Sequence, residues 1–252
     1  MSGPSDAAPK VLDGKRALVT GASGTLGEAI ARHLAGQGAR VLLHGRSRPE
    51  ALEALAQSIG AAGGSAEPWT FDIADEAASR AACERMLEAG AVQIVVHNAG
   101  IHDDAVFAGM GPERWHRVID VSLHGFYNVT QPLLLPMLRT RWGRVISVSS
   151  VAAIAGNRGQ VNYAAAKAGL HGATRALSLE VASRGVTVNC VAPGIIESPM
   201  AEAAFDRELI DRLVPARRAG TPDEVAALIA FLAGPQAGYI TGQVISINGG
   251  LC

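Results

Sequence analysis

Thr20-Gly21-Ala22-Ser23-Gly24-Thr25-Leu26-Gly27 joins an aliphatic run to an amphipathic segment, and this octapeptide defines the architecture of the chain. Gly21 can form a tight turn after a strand, Gly24 lets backbone approach a pyrophosphate, and Gly27 allows the next helix to pack closely. The free N–H groups at the start of that helix attract an anion. The octapeptide therefore predicts a strand, a phosphate-binding loop and a helix, with Ser23, Thr25 and Leu26 also in contact with the ligand.

Aliphatic and β-branched runs recur along the rest of the chain, and helical patterns separate them. Most of these runs are apolar throughout and do not alternate between apolar and polar residues. Such runs are typical of parallel strands that helices cover on both faces. We therefore predict an α/β, single-domain, Rossmann-like fold: a doubly wound, parallel, seven-stranded sheet with helices on both faces. The seven predicted strands are Arg16–Thr20, Arg40–His44, Glu67–Asp72, Val92–His97, Arg144–Ser149, Val186–Val191 and Gln243–Ile247.

Length and composition favour one metal-free domain in the cytoplasm. The chain has 252 residues, of which 48% are hydrophobic, and its net charge of −1 offers no bulk attraction to nucleic acid or to a membrane surface. No apolar run is long enough to span a membrane, and three separated cysteines favour neither a disulfide framework nor a zinc site. We expect residues 1–11 to form a flexible tail and residues 12–252 to form the domain.

The end of the second predicted strand bears on the choice of dinucleotide. Sites that prefer NAD usually place an acid there for the ribose 2′-hydroxyl, and none is present. Arg46, with Ser47 and Ser23, can bind a 2′-phosphate instead, or Arg46 can be a solvated surface residue. Asp72, next to Ile73, can accept a hydrogen bond from adenine or cap the following helix. These residues predict NADP(H) as the cofactor.

Tyr163 and Lys167 stand four residues apart in a helix-compatible run, so their side chains share one face. A lysine ammonium beside a phenol favours the phenolate, and this predicts a tyrosine that can act as a general acid. Ser150 ends the preceding strand and can hydrogen-bond a substrate oxygen as negative charge develops there. The three residues predict hydride-transfer chemistry in which Tyr163 handles the proton.

Together these motifs resemble the short-chain dehydrogenase/reductase family over residues 12–251. The resemblance rests on Thr20–Gly27, His97-Asn98-Ala99-Gly100, Ser150, Tyr163 with Lys167, and Pro193-Gly194. It implies that Ser150, Tyr163 and Lys167 are catalytic, and that Tyr163 and Lys167 also contact the cofactor. The other cofactor contacts that it implies are Asn98, Ala99, Gly100, Pro193, Gly194, Ile196 and Ser198.

Two positions depart from the family pattern. Thr25 stands where the family usually has its second glycine, and Gly24 lies one place earlier. Ser122 stands where the family usually has an asparagine that helps hold a water connecting the lysine to solvent. A serine has less reach, so we expect Ser122 to keep a catalytic role with slower or rerouted proton supply.

Within the family, Gly156–Tyr163 and Gly238–Gln243 resemble β-ketoacyl-acyl-carrier-protein reductases, which reduce a 3-oxoacyl thioester with NADPH. The pattern at 245–250 also resembles ketoreductases of aryl polyene pigment pathways. The resemblance implies an acyl carrier protein as partner, docked by Arg141 and Arg184, although both arginines can equally solvate helix ends. It also implies a homotetramer in which the helix carrying Tyr163 packs at an interface, and small side chains permit such packing.

Three questions stay open at the level of sequence. The irregular segment 194–221, with a helical pattern around Ala201–Leu213, can be a substrate lid or a structural excursion. A dehydrogenase acting on a free small alcohol or ketone is one alternative function. A catalytically weak NADP(H)-binding subunit, disabled at Ser122, is another.

Overall fold

Seven parallel strands form one sheet in the computed structural model, which describes residues 10–199, 201 and 205–252. Their order is β3-β2-β1-β4-β5-β6-β7, so the chain winds outward from β1 to one edge and then from β4 to the other. This is the doubly wound topology predicted above. The strands are β1 Arg16–Val19, β2 Arg40–Gly45, β3 Ser65–Thr70, β4 Ile94–His97, β5 Gly143–Val148, β6 Val186–Pro193 and β7 Val244–Ile247.

Helices cover both faces of the sheet. On one face α1, α2 and α9 bury residues such as Ile30, Leu52 and Ile229, and on the other face α3, α5 and α7 bury Met86 and Leu133 among others. A π-helical turn at Asp120–His124 joins α4 to α5. The described helices are α1 Thr25–Gly36, α2 Pro49–Ala61, α3 Glu76–Glu88, α4 Pro112–Ile119, α5 Gly125–Arg139, α6 Ala152–Ala155, α7 Val161–Val181, α8 Arg207–Leu213 and α9 Pro222–Ala233.

The central strands are buried throughout, whereas the edge strand β3 is not. Every residue of β1, β4, β5 and β6 is buried. In β3 no residue is buried, and the strand begins at Ser65, two residues earlier than predicted. The expectation of buried strands therefore does not hold for β3, nor for β7, which has no buried residue either; these two strands form the edges of the sheet.

The beginning of the predicted domain and the irregular segment are described in part. Leu12 is fully buried, and its N–H donates to the carbonyl of Gln37 (2.9 Å), so packing starts where the domain was expected to start. Residues 1–9 of the expected tail lie outside the described residues. The helical pattern at 201–213 yields α8 from Arg207, whereas residues 202–204 are not described.

No helix in the described parts of the chain is both long and apolar enough to cross a bilayer. Within the same residues, no group of three or more His, Cys, Asp or Glu side chains is arranged to hold a metal ion.

Candidate active site

The carboxyl ends of the parallel strands border a cleft of about 600 Å³. Open α/β sheets bind ligands at this edge, at the point where the strand order reverses. The cleft is lined by many of the residues that the sequence predicted: Gly21, Ser23, Gly24, Thr25, Leu26, Gly27, Arg46, Ser47, Asp72, Ile73, Asn98, Ala99, Gly100 and Ser198. It is also lined by residues that sequence reasoning missed: His44, Gly45, Arg48, Ile101, Val121 and Pro199.

Two glycines of the first loop are required by the protein's own packing. Gly21 has φ of +67°, a conformation that side chains disfavour, and its carbonyl lies 2.2 Å from where a Cβ on Gly27 would stand. Gly24 differs, since among the described residues a Cβ there would meet only the Gly21 carbonyl oxygen, at 3.5 Å. Gly24 is also the N-cap of α1 and has no side chain to cap it. The loop therefore leaves room and uncapped N–H groups for an anionic ligand.

His44 and Asn98 hold this loop in place. The Gly21 N–H donates to His44 Nδ1 (3.4 Å), so the other ring nitrogen, Nε2, carries the hydrogen that is donated to the Phe71 carbonyl (2.9 Å). Burial lowers the pKa of His44 to about 4, so the ring stays neutral. Asn98 Nδ2 donates to the carbonyls of Thr20 (3.0 Å) and Gly21 (3.2 Å). For His44, the only sequence signal was its place at a strand end.

The rim of the cleft carries two arginines and one carboxylate. Arg46 Nη1 lies 3.6 Å from Asp72 Oδ2, while Arg48 Nη2 donates to the carbonyl of Ser23 (2.8 Å). The α3 helix is capped by Asp75, whose carboxylate accepts from the Ala78 N–H (3.0 Å). The alternative in which Asp72 caps the following helix is therefore wrong, and Asp72 faces the cleft.

Ser150, Tyr163 and Lys167 come together beside the cleft. Ser150 follows β5, and its side chain hydrogen-bonds the phenol of Tyr163 on α7. Lys167 lies one helical turn further on, with Nζ 5.7 Å from the Tyr163 ring centroid, and donates to the Val148 carbonyl (2.8 Å). The sequence spacing correctly placed Tyr163 and Lys167 on one face of a helix.

The proton affinities of this group differ from the expectation. Burial raises the pKa of Tyr163, the hydrogen bond from Ser150 opposes that rise, and the charge of Asp104 adds to it. Burial lowers the pKa of Lys167 to about 8. Burial is the largest cause of the Tyr163 shift, and its direction is opposite to the predicted shift toward the phenolate. A raised pKa keeps the Tyr163 phenol protonated at neutral pH.

Ser122 lies in the π-helical turn, and its hydroxyl is buried without a hydrogen-bond partner among the described residues. A Cβ placed on Gly100 would lie 3.0 Å from Lys167 Nζ and 3.7 Å from Ser122 Oγ. The two polar groups therefore flank the same space above Gly100. Because Gly100 has no side chain, the space between these two polar groups stays open.

Asn162 and Asp104 also support the catalytic helix, and the sequence alone did not assign them these contacts. Asn162 Nδ2 donates to the carbonyls of Asp103 (3.0 Å) and Arg114 (3.1 Å), and Asn162 Oδ1 accepts from the Tyr163 N–H (2.8 Å). Asp104 Oδ2 accepts from Gln160 Nε2 (2.9 Å). These bonds tie the start of α7 to the loop after β4, and thereby position Tyr163.

Comparison with known proteins agrees with this geometry. Residues 21–252 match the sequence profile of a family described as "Enoyl-(Acyl carrier protein) reductase". The chain belongs to the short-chain dehydrogenase/reductase family. It is 45% identical to the 3-oxoacyl-[acyl-carrier-protein] reductase of Aggregatibacter actinomycetemcomitans, over 93% of this chain and 98% of that protein. It is 47% identical to nodulation protein G of Rhizobium sp. strain N33, and 42% identical to the 3-oxoacyl-[acyl-carrier-protein] reductase of Escherichia coli K12, each over 95% of this chain and 98% of the relative.

Of the other residues that the family pattern singled out, Ser198 lines the cleft, whereas Pro193, Gly194 and Ile196 are not among its lining residues. Pro193 ends β6 and accepts from the Val151 N–H (2.8 Å), beside Ser150. Gly194 must be a glycine, because a Cβ would come within 2.8 Å of Asn248 Cα. Ile196 pairs with Gly220, and Ser198 Oγ accepts from the Ala201 N–H (3.1 Å).

Arg141 and Arg184 lie at the opposite edge of the sheet. They stand two residues before the first residues of β5 and β6, and the Arg141 carbonyl oxygen would lie 2.3 Å from a Cβ on Gly185, which follows Arg184. Ser150 follows the other end of β5. The two arginines therefore neighbour each other as a pair, but within one chain they are not near the cleft, contrary to the expectation. The distance of these arginines from the cleft depends on which end of each strand they adjoin. Their positions in the sequence motifs do not show this.

Proposed function

We propose that this chain reduces a 3-oxoacyl thioester to the 3-hydroxyacyl form with NADPH, on a substrate carried by acyl carrier protein in the cytoplasm. One observation carries the proposal: the Ser150 hydroxyl and a neutral, buried Tyr163 phenol share a hydrogen bond beside a dinucleotide-shaped cleft. The named activity of relatives from Aggregatibacter actinomycetemcomitans and Escherichia coli, at 45% and 42% identity, supports it.

The cleft fits a dinucleotide. The loop at Gly21–Gly27 offers the open approach at Gly24 and the uncapped start of α1, where phosphates bind. Asp72 and Ile73 line the side toward β3, and Asn98 to Gly100 line the side toward the catalytic residues. When bound, the cofactor supplies the hydride.

The chain's own residues then handle the substrate oxygen. Ser150 donates a hydrogen bond to the carbonyl, which favours the charge that develops there. Tyr163 donates the proton, and because its pKa is raised it holds that proton at neutral pH. Lys167 is protonated below its pKa of about 8, and its charge favours the phenolate that remains after proton transfer. Two donors that converge on one oxygen suit a ketone better than a carbon–carbon double bond.

The experiment is to follow NADPH consumption with acetoacetyl thioester, with crotonyl thioester and with free small ketones, each repeated with NADH. We expect turnover of acetoacetyl thioester with NADPH, and a much smaller rate with crotonyl thioester or NADH. Reduction of crotonyl thioester instead would assign an enoyl reductase. Turnover of free ketones alone would assign a dehydrogenase of small alcohols, and cofactor binding without any turnover would assign a non-catalytic subunit.

Ser122 provides a sharper test of the proton route. We propose that its hydroxyl, which shares the space above Gly100 with Lys167 Nζ, binds a water that resupplies the proton. Ser122→Ala should then lower kcat by roughly fivefold to tenfold, the worth of one hydrogen bond. Its thermal unfolding should stay close to that of the wild type, because the hydroxyl has no hydrogen-bond partner in the part of the chain that the structure describes. Ser122→Asn should preserve or raise kcat. An unchanged kcat and solvent isotope effect in Ser122→Ala would remove Ser122 from the route.

In a homotetramer, Arg141 and Arg184 of one subunit would lie near the cleft of a neighbouring subunit. The exposed stripe on α7 contains Ala165, Ala168 and Gly172 and ends at Leu179, whose surface is 85% exposed. Two copies of α7 packed antiparallel across a twofold axis would bring the amino edge of one sheet toward the carboxyl edge of the other. We propose that Arg141 and Arg184 dock the acidic carrier protein at a neighbouring subunit's cleft.

A further inference from the structure

Two arginines stand at the rim of the cleft, but their surroundings differ. Arg46 Nη1 lies 3.6 Å from Asp72 Oδ2, so a carboxylate partly balances its charge. Arg48 Nη2 donates to the Ser23 carbonyl (2.8 Å) and to Ser23 Oγ (3.3 Å), both uncharged. Within the described residues, Arg48 makes no ion pair. Of the two, Arg48 keeps the larger net attraction for an anion.

The backbone places Arg48 across the groove between the first loop and the end of β2. Pro49 follows it as the first residue of α2, and this fixes the direction in which the chain leaves the sheet. A Cβ on Gly45 would stand 3.4 Å from Ser23 Oγ, so the end of β2 and the loop are in close contact there. In folds of this topology the adenosine ribose lies at this junction. The side chain therefore reaches the region where a 2′-phosphate is expected.

The hydrogen bonds of Arg48 also leave it ready to bind. A guanidinium has five N–H donors, and Nη2 uses its own on Ser23. The hydrogens on Nε and Nη1 remain for an anion, and because they point in different directions each can donate a single charge-assisted hydrogen bond to a phosphate oxygen. Because Ser23 already orders the side chain, less conformational entropy is lost when an anion binds.

We propose that Arg48 is the main ligand of the cofactor's 2′-phosphate, with Arg46 in a supporting role. This inference rests on the proposed use of NADP(H). It assigns the preference for NADPH to a residue two positions beyond the one that the sequence favoured, because the charge of Arg46 is shared with Asp72.

The test measures binding rather than turnover. NADPH and NADH are titrated by fluorescence, and 2′,5′-ADP and 5′-AMP by calorimetry, with the wild-type chain and the variants Arg48→Ala, Arg48→Lys and Arg46→Ala. We expect Arg48→Ala to weaken NADPH and 2′,5′-ADP by roughly 10- to 100-fold, as for loss of a charged hydrogen-bond donor. NADH and 5′-AMP should change by less than about threefold. Arg48→Lys should lie between, and Arg46→Ala should have the smaller effect.

Arg80→Ala serves as the matched control, since Arg80 is an exposed arginine that pairs with Glu76 away from the cleft. If Arg46→Ala weakens 2′,5′-ADP more than Arg48→Ala does, the assignment is reversed. If Arg48→Ala weakens 5′-AMP and 2′,5′-ADP equally, Arg48 only supports the loop. Both outcomes overturn the inference and leave NADP(H) intact. Equal affinity of the wild type for NADPH and NADH would instead overturn the cofactor proposal itself, and this inference with it.

Discussion

Tyr163→Phe should lower kcat for reduction of acetoacetyl thioester by roughly 10²- to 10⁴-fold, the usual worth of a positioned general acid. The substitution removes one oxygen and leaves the ring, so the packing of α7 persists. The Ser150 hydroxyl loses its phenol partner but can still bind the substrate oxygen. The measurement is the initial rate of NADPH oxidation, together with NADPH affinity. We expect the affinity to change by no more than about threefold, because the phosphate loop is untouched.

Tyr239→Phe is the matched control, because Tyr239 is fully exposed and is not among the residues that line the cleft. Its kcat should equal that of the wild type. The pH profile adds a second readout. Since burial raises the pKa of Tyr163, the phenol stays protonated through neutral pH, and burial sets the pKa of Lys167 to about 8. Wild-type reduction should therefore decline as pH rises through 8, when Lys167 loses its charge. A Tyr163→Phe enzyme with near-normal kcat would assign the proton donor elsewhere.

The sequence was sufficient for those features that depend on local pattern. Continuous aliphatic runs marked the strands, since a parallel strand covered on both faces has no polar positions to interrupt it. The four-residue spacing placed Tyr163 and Lys167 on one helical face. The glycine spacing correctly predicted the tight turn at Gly21 and the close helix packing at Gly27.

The features that the sequence could not supply depend on long-range packing. Arg48 and Ser23 are 25 positions apart, and their contact exists only once β2 lies beside β1. The raised pKa of Tyr163 depends on how deeply α7 is buried against the sheet, which residue type does not reveal. Arg141 lies at the sheet edge opposite the cleft because it precedes β5, and a sequence motif does not show at which edge a residue lies. The sequence pattern thus predicts which groups lie together, whereas their protonation states depend on burial in the folded protein.

Gly27→Ala should abolish measurable dinucleotide binding, because the protein has no space for the added carbon. Its Cβ would lie 2.2 Å from the Gly21 carbonyl oxygen and 2.8 Å from Asn98 Nδ2. The first atom is backbone and cannot rotate away, so the loop must shift as a unit. That shift would disturb the hydrogen bond from Gly21 to His44 and those from Asn98 to the loop. Overpacking of this kind costs about 1–3 kcal/mol of stability.

Gly36→Ala separates this clash from the general effect of alanine in a helix. Gly36 ends the same helix, α1, and a Cβ there would meet nothing within 4 Å. Alanine favours helix over glycine by up to about 1 kcal/mol, so Gly36→Ala should be as stable as the wild type or slightly more so, with unchanged NADPH affinity. Gly27→Ala, on the same helix with the same added methyl group, should unfold at a lower temperature and bind neither NADPH nor NADH. Because the clash involves the pyrophosphate loop rather than the 2′-phosphate rim, both cofactors must be lost together. Retention of either one would show that the loop accommodates a methyl group at position 27 without moving from its binding geometry.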